Sequence, residues 1–165
     1  MEQKMKLGIL GTGMIVREFL PWLAGPESPF AVQAVCSTPR SEPLAAELCA
    51  RYGVPQHTTN YLELLQWVDV VYLAVPNIQH ARYAKVALEA GRHVIVEKPM
   101  TPTAAQTEEL AALAREKGVG FLFSAACGGD KQAFQHHVIL RFHQVGLTHQ
   151  IGDGDHGCDG GFLNH

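Results

Sequence analysis

Residues 6–16, KLGILGTGMIV, decide the fold: an apolar run breaks into Gly11, Thr12 and Gly13 and resumes at once with the apolar spacing of a helix. A strand, a glycine turn and a helix in direct succession are how a dinucleotide-binding βα unit begins. Gly11 lets the chain turn tightly off the strand. Gly13 lets backbone N–H groups approach a pyrophosphate at the positive end of the helix, where a side chain would intrude. The third small position of the fingerprint is Val16, so the helix is expected to pack a little farther from the strand than usual. A glycine turn also joins strands and helices in other α/β proteins, so the rest of the chain has to carry the assignment.

Outward from this unit, strand and helix patterns take turns. FAVQAVC at 30–36 reads as a second strand, and 41–52 as a helix with Ser41 as cap, Pro43 in its first turn and Gly53 at its end. A short helix over 61–66 follows Asn60. VDVVYLAV at 68–75 is an apolar run of the kind buried on both faces of a parallel sheet, followed by a helix over 78–90 stopped by Gly91. A strand at 93–96, a helix from Thr101 and Pro102 to Lys117, and a last strand at 119–124 complete the series. Pro21 falls where the first helix should continue and predicts a kink or an end near Leu20. The repeated βα units predict an α/β fold of the Rossmann type: a doubly wound parallel sheet of about six strands, with its ligand site at the carboxyl ends of the strands.

Composition agrees with one main globular unit: 165 residues, 47% hydrophobic and 18% charged. A formal charge of -3 with no basic run argues against nucleic acid or an anionic membrane as partner. The amino terminus lacks a signal-peptide pattern, and no stretch approaches the ~20 apolar residues of a membrane span, which predicts a cytoplasmic protein. Cys36, Cys49, Cys127 and Cys158 form no C-x-x-C pair and read as reduced thiols.

The strand ends carry the chemistry. The second strand ends in Ser37, Thr38, Pro39 and Arg40, with no carboxylate where a ribose 2′-hydroxyl would be gripped. Ser37 and Thr38 can donate hydrogen bonds and Arg40 can pair with a 2′-phosphate, which favours NADP over NAD. The strand from residue 68 ends in Ala74, Val75, Pro76 and Asn77, with His80 one turn on; Asn77 is a candidate helix cap. The next ends in Glu97, Lys98 and Pro99, placing a carboxylate and an ammonium at the same sheet edge. A lysine there can hydrogen-bond a substrate oxygen and assist proton movement during hydride transfer.

Glycine turn, S-T-x-R, A-V-P-N-x-x-H and E-K-P stand in an order and spacing over 6–124 that resemble the glucose-fructose oxidoreductase, inositol dehydrogenase and rhizopine-catabolism family, Gfo/Idh/MocA. The resemblance implies an amino-terminal domain binding NADP or NAD, with Gly11, Thr12, Gly13, Met14 and Ile15 on the pyrophosphate and Ser37, Thr38 and Arg40 near the adenosine ribose. It implies Ala74, Val75, Pro76, Asn77 and His80 along the nicotinamide half, and Glu97 and Lys98 beside the nicotinamide ribose and substrate, Lys98 in the catalytic group. The implied reaction is hydride transfer to or from a sugar, cyclitol or related polyol.

Family members continue into a second α/β domain, so the expectation is a cofactor domain at 1–124 without its carboxyl-terminal partner domain and without a complete active site of its own. A non-catalytic dinucleotide-binding or sensor module is the alternative, and exposed apolar surface left by the missing domain would favour self-association. Residues 125–165 change character: 8 of the 16 glycines and 6 of the 9 histidines fall there. A candidate helix at 131–145 and then a disordered or frame-changed tail are expected. Asp153, Asp155, His156, Cys158, Asp159 and His165 follow no established ligand spacing, so no metal site is expected.

Overall fold

The computed structural model describes residues 4–97 and 100–123. Six parallel strands, β1 (Met5–Leu10), β2 (Phe30–Cys36), β3 (Gln56–Thr58), β4 (Val70–Leu73), β5 (His93–Val96) and β6 (Phe121–Phe123), form one sheet in the order β3-β2-β1-β4-β5-β6. The helices are α1 (Met14–Leu23), α2 (Glu42–Tyr52), α3 (Tyr61–Trp67), α4 (His80–Glu89) and α5 (Ala104–Lys117). Strand order reverses between β1 and β4, and their carboxyl ends open the crevice where such sheets take ligands.

The unbroken apolar runs have their reason in two covered faces. Val70 and Tyr72 of β4 join Val16, Phe19, Leu20 and Leu23 of α1 and Leu48 of α2 in one core. Val71 and Leu73, pointing the other way, join Leu64 and Leu65 of α3, Ala84 and Leu88 of α4 and Leu110 of α5 in a second. Gly8 on β1 lets α3 press close: an added Cβ would come within 3.0 Å of Val68 and 3.1 Å of Leu64.

Three local expectations are corrected. Helix α1 runs through Pro21 to Leu23 instead of ending near Leu20, because Pro21 lies on the exposed side while Leu20 and Leu23 are fully buried. Helix α5 begins at Ala104 under Thr103, whose side chain accepts from Gln106 N–H at 3.2 Å. Thr101 is instead buried, bonded to Thr103 O at 2.6 Å and the Thr107 hydroxyl at 2.7 Å. Asn77 does not cap α4, since a 3₁₀ turn over Asn77–Gln79 precedes that helix, whereas Ser41 stands at the N-cap of α2 as expected, without a side-chain cap hydrogen bond. The short strand β3 has no apolar run to announce it. It exists because Gln56–Thr58 pairs with 34–36 of β2.

Among the described residues no helix is long and apolar enough to cross a membrane. The candidate helix at 131–145, the glycine-rich end of the chain and the residues Cys127 and Cys158 lie outside the described residues.

At the amino edge of the sheet His93 Nδ1 accepts the Gly120 N–H at 2.9 Å, tying β5 to the approach to β6. Burial holds the His93 pKa below its ordinary value; Asp69 pulls it up and Arg92 pushes it down by less. A depressed histidine pKa favours the neutral form in the folded state, so its contribution is present above about 6.5 and is lost as pH falls through the folded value. Urea midpoints should therefore fall from pH 7.5 to 5.5 more steeply in the native chain than in a His93→Asn variant, whose amide oxygen accepts without titrating. Parallel pH profiles would remove His93 as the cause.

Candidate functional site

The first turn is built where three strand ends meet. Gly11 N–H donates to Cys36 O at 2.9 Å, and Ala74 N–H donates to Leu10 O at 2.9 Å, so the chain leaving β1 is clasped between β2 and β4. Gly11 has φ +123°, and a Cβ on it would lie 2.3 Å from Ala74 O. Only glycine fits. Gly13, at the N-cap of α1, is the opposite case: its φ of -67° suits any residue, and among the described residues, its own chain neighbours aside, no atom lies within 4 Å of where a Cβ would stand. Gly13 therefore leaves open space before the free N–H groups of the first turn of α1, which carries no acidic side chain. Thr12 and Ile15 are half-buried, Met14 is exposed, and Val16 is fully buried in the core.

At the end of β2, Ser37 is buried and its hydroxyl donates to Thr38 O at 3.2 Å, while Ser37 N–H reaches Thr58 O at 3.0 Å on β3. The Thr38 and Ser41 hydroxyls are paired at 2.8 Å across the 3₁₀ turn Pro39–Ser41. This turn exposes Arg40 to solvent. Burial, with Glu63 as the smaller cause, pushes the Cys36 thiol up to about 11, which keeps it protonated and unreactive.

Ala74 and Val75 are half-buried and Pro76 and Asn77 exposed where β4 ends. His80 is buried, its Nε2 2.8 Å from Val75 O, so its ring braces the loop from beneath. Glu97, half-buried at the end of β5, accepts a hydrogen bond from the Tyr72 hydroxyl. Burial first, then the charge of Glu97 and the hydrogen bond to it, push the Tyr72 pKa well above its ordinary range, so the phenol stays a donor. Lys98 and Pro99 lie outside the described residues. The structure thus brings the glycine turn, 37–40, 74–77 and Glu97 to one edge of the sheet. Tyr72 is the member that motif reading overlooks. The available signal was a phenol inside an aliphatic strand, whose hydroxyl needs a partner once buried. Among the described residues no three His, Cys, Asp or Glu side chains gather as a metal site.

The family model for the Gfo/Idh/MocA oxidoreductases, described as an NAD-binding Rossmann fold, matches residues 5–124. The chain belongs to this family. A dTDP-3,4-didehydro-2,6-dideoxy-alpha-D-glucose 3-reductase of Streptomyces antibioticus is 36% identical over 121 residues, which are 70% of this chain and 35% of that protein. A scyllo-inositol 2-dehydrogenase (NADP(+)) of Bacillus subtilis (strain 168) is 32% identical over 117 residues, 70% of this chain and 35% of that protein. The crystal structure of a 3-ketoreductase from Actinomadura kijaniata in complex with TDP-benzene and NADP superposes with a TM-score of 0.68 at 34% identity, over 74% of this chain and 38% of that one. The chain thus spans about a third of the length of these Gfo/Idh/MocA relatives, and its matched part is their dinucleotide-binding domain.

Proposed function

We propose that this chain provides the cofactor-binding part of an oxidoreductase that moves a hydride between a nicotinamide cofactor, NADP in preference to NAD, and one carbon of a sugar, cyclitol or related polyol. The observation that carries the reading is the open space at Gly13, a cradle that a side chain would fill, in front of the positive end of α1 at the point where strand order reverses. When bound, the nicotinamide supplies the hydride chemistry; the protein supplies orientation.

In this reading the backbone of Gly11, Thr12, Gly13, Met14 and Ile15 holds the pyrophosphate. Ser37, Thr38 and Arg40 receive the adenosine ribose and its 2′-phosphate, with the exposed Arg40 guanidinium as the cation. The chain from Ala74 to Asn77, braced by His80, flanks the nicotinamide. Glu97 and Lys98 face its ribose and the substrate, where the Lys98 ammonium hydrogen-bonds the oxygen of the reacting carbon and assists its proton transfer. A soluble cytoplasmic setting, a small-molecule rather than nucleic-acid partner, and self-association through exposed apolar side chains such as Met14 and Ile78 belong to the same proposal.

Fluorescence titration of the full chain tests it. NADPH should bind saturably and more tightly than NADH, and Arg40→Ala should weaken NADPH about tenfold while leaving NADH within about twofold. Equal losses for both nucleotides would remove Arg40 from the 2′-phosphate, and no binding of either would remove the cofactor reading itself.

A further inference from the structure

We propose that Tyr72 is a positioning residue of the cofactor site, holding one oxygen of the Glu97 carboxylate so that the other faces a ligand hydroxyl at the sheet edge. The inference rests on the cofactor-site reading of Glu97.

Its geometry comes from strand register. Tyr72 on β4 is paired with Ile95 on β5, and Glu97 lies two residues farther on, so its side chain leaves the sheet on the same face as Tyr72. That diagonal is the distance an aromatic side chain can bridge. The ring of Tyr72 is fully buried, and its hydroxyl reaches the Glu97 Oε1. A phenol hydroxyl so deep in an apolar core is costly unless bonded, and a carboxylate is a strong acceptor for it.

The consequence falls on Glu97. An exposed glutamate at a strand end samples several rotamers, whereas one anchored through Oε1 has a single orientation. A carboxylate has about four acceptor sites on two oxygens. With Oε1 engaged from within the core, Oε2 remains to accept from a ribose or substrate hydroxyl. The raised pKa of Tyr72 supports the assignment, because a phenol that stays protonated remains a donor to the carboxylate. Tyr72 therefore acts on the ligand through Glu97.

A double-mutant cycle separates this role from mere packing. In the full chain Tyr72→Phe keeps the ring and its volume and removes the hydroxyl. It should weaken NADPH about three- to tenfold in the native background and less than about twofold in a Glu97→Ala background, which offers the hydroxyl no acceptor. Equal weakening in both backgrounds would assign Tyr72 to packing and overturn the proposal. So would an unchanged affinity in either Tyr72→Phe or Glu97→Ala alone.

A second measurement does not depend on nucleotide. In a chain labelled with carboxyl-13C glutamate, the Glu97 signal, assigned by its loss in Glu97→Gln, should move in Tyr72→Phe. An unmoved signal overturns the proposal whatever the chain binds. If the signal moves while neither nucleotide binds, the Tyr72–Glu97 contact stands, but the positioning role falls together with the cofactor reading.

Discussion

Replacing Gly11 by alanine is expected to lower the thermal midpoint by roughly 10 °C or more, corresponding to about 3 kcal/mol or more of lost stability. Two penalties coincide at this position. The backbone stands at φ +123°, a conformation that an L side chain rarely adopts, and the new Cβ would lie 2.3 Å from Ala74 O. The carbonyl has little room to yield, because Ala74 N–H is bonded to Leu10 O and Gly11 N–H to Cys36 O. Relief would require the ends of β1, β2 and β4 to separate, just where the dinucleotide site is proposed. Circular-dichroism melting of the variant beside the native chain measures this. A midpoint within about 3 °C of native would show that the three strand ends are not clasped as described.

Replacing Gly13, two residues away, by aspartate should do the reverse: leave stability unchanged or slightly higher, and reduce NADPH affinity by about a hundredfold or more. Its φ of -67° is ordinary, no atom of the described residues beyond its chain neighbours stands within 4 Å of the new Cβ, and the position is the N-cap of α1, where aspartate is a favoured residue. The same carboxylate would occupy the space proposed for the pyrophosphate and repel its charge. A melting curve and an NADPH titration on one preparation read both effects. Native affinity in a folded Gly13→Asp chain would move the proposed pyrophosphate site away from the start of α1.

These glycines are two letters of one three-letter motif, yet their duties differ. G-T-G alone points to a turn off a strand into a helix. That Gly11 is required by a carbonyl 63 residues later in the chain, while Gly13 is required by no neighbour among the described residues, follows only when β4 is set beside β1.

Other features divide in the same way. The strand at 70–73 was legible because VVYL is apolar on both faces, and both faces are covered. The strand at 56–58 was not, because Gln56 and His57 are exposed and the strand owes its existence to backbone pairing with β2. The sequence points to Thr101 as the cap of α5, and Thr103 takes that place. Which one caps is decided by the turn that buries Thr101 against Thr107. Pro21 was a sound local reason to end α1 early, and it was outweighed by the burial of Leu20 and Leu23.

By itself the sequence determined the alternation of strands and helices, the glycine turn, the absence of a carboxylate after β2 and the E-K-P position, because periodicity, turn chemistry and spacing are properties of neighbouring residues. The tertiary structure alone decided that Gly11 answers to Ala74 and that Tyr72 meets Glu97 across 25 residues of chain. Those partnerships are set by the register of parallel strands, which depends on how two faces of the sheet are buried and not on any local stretch of sequence.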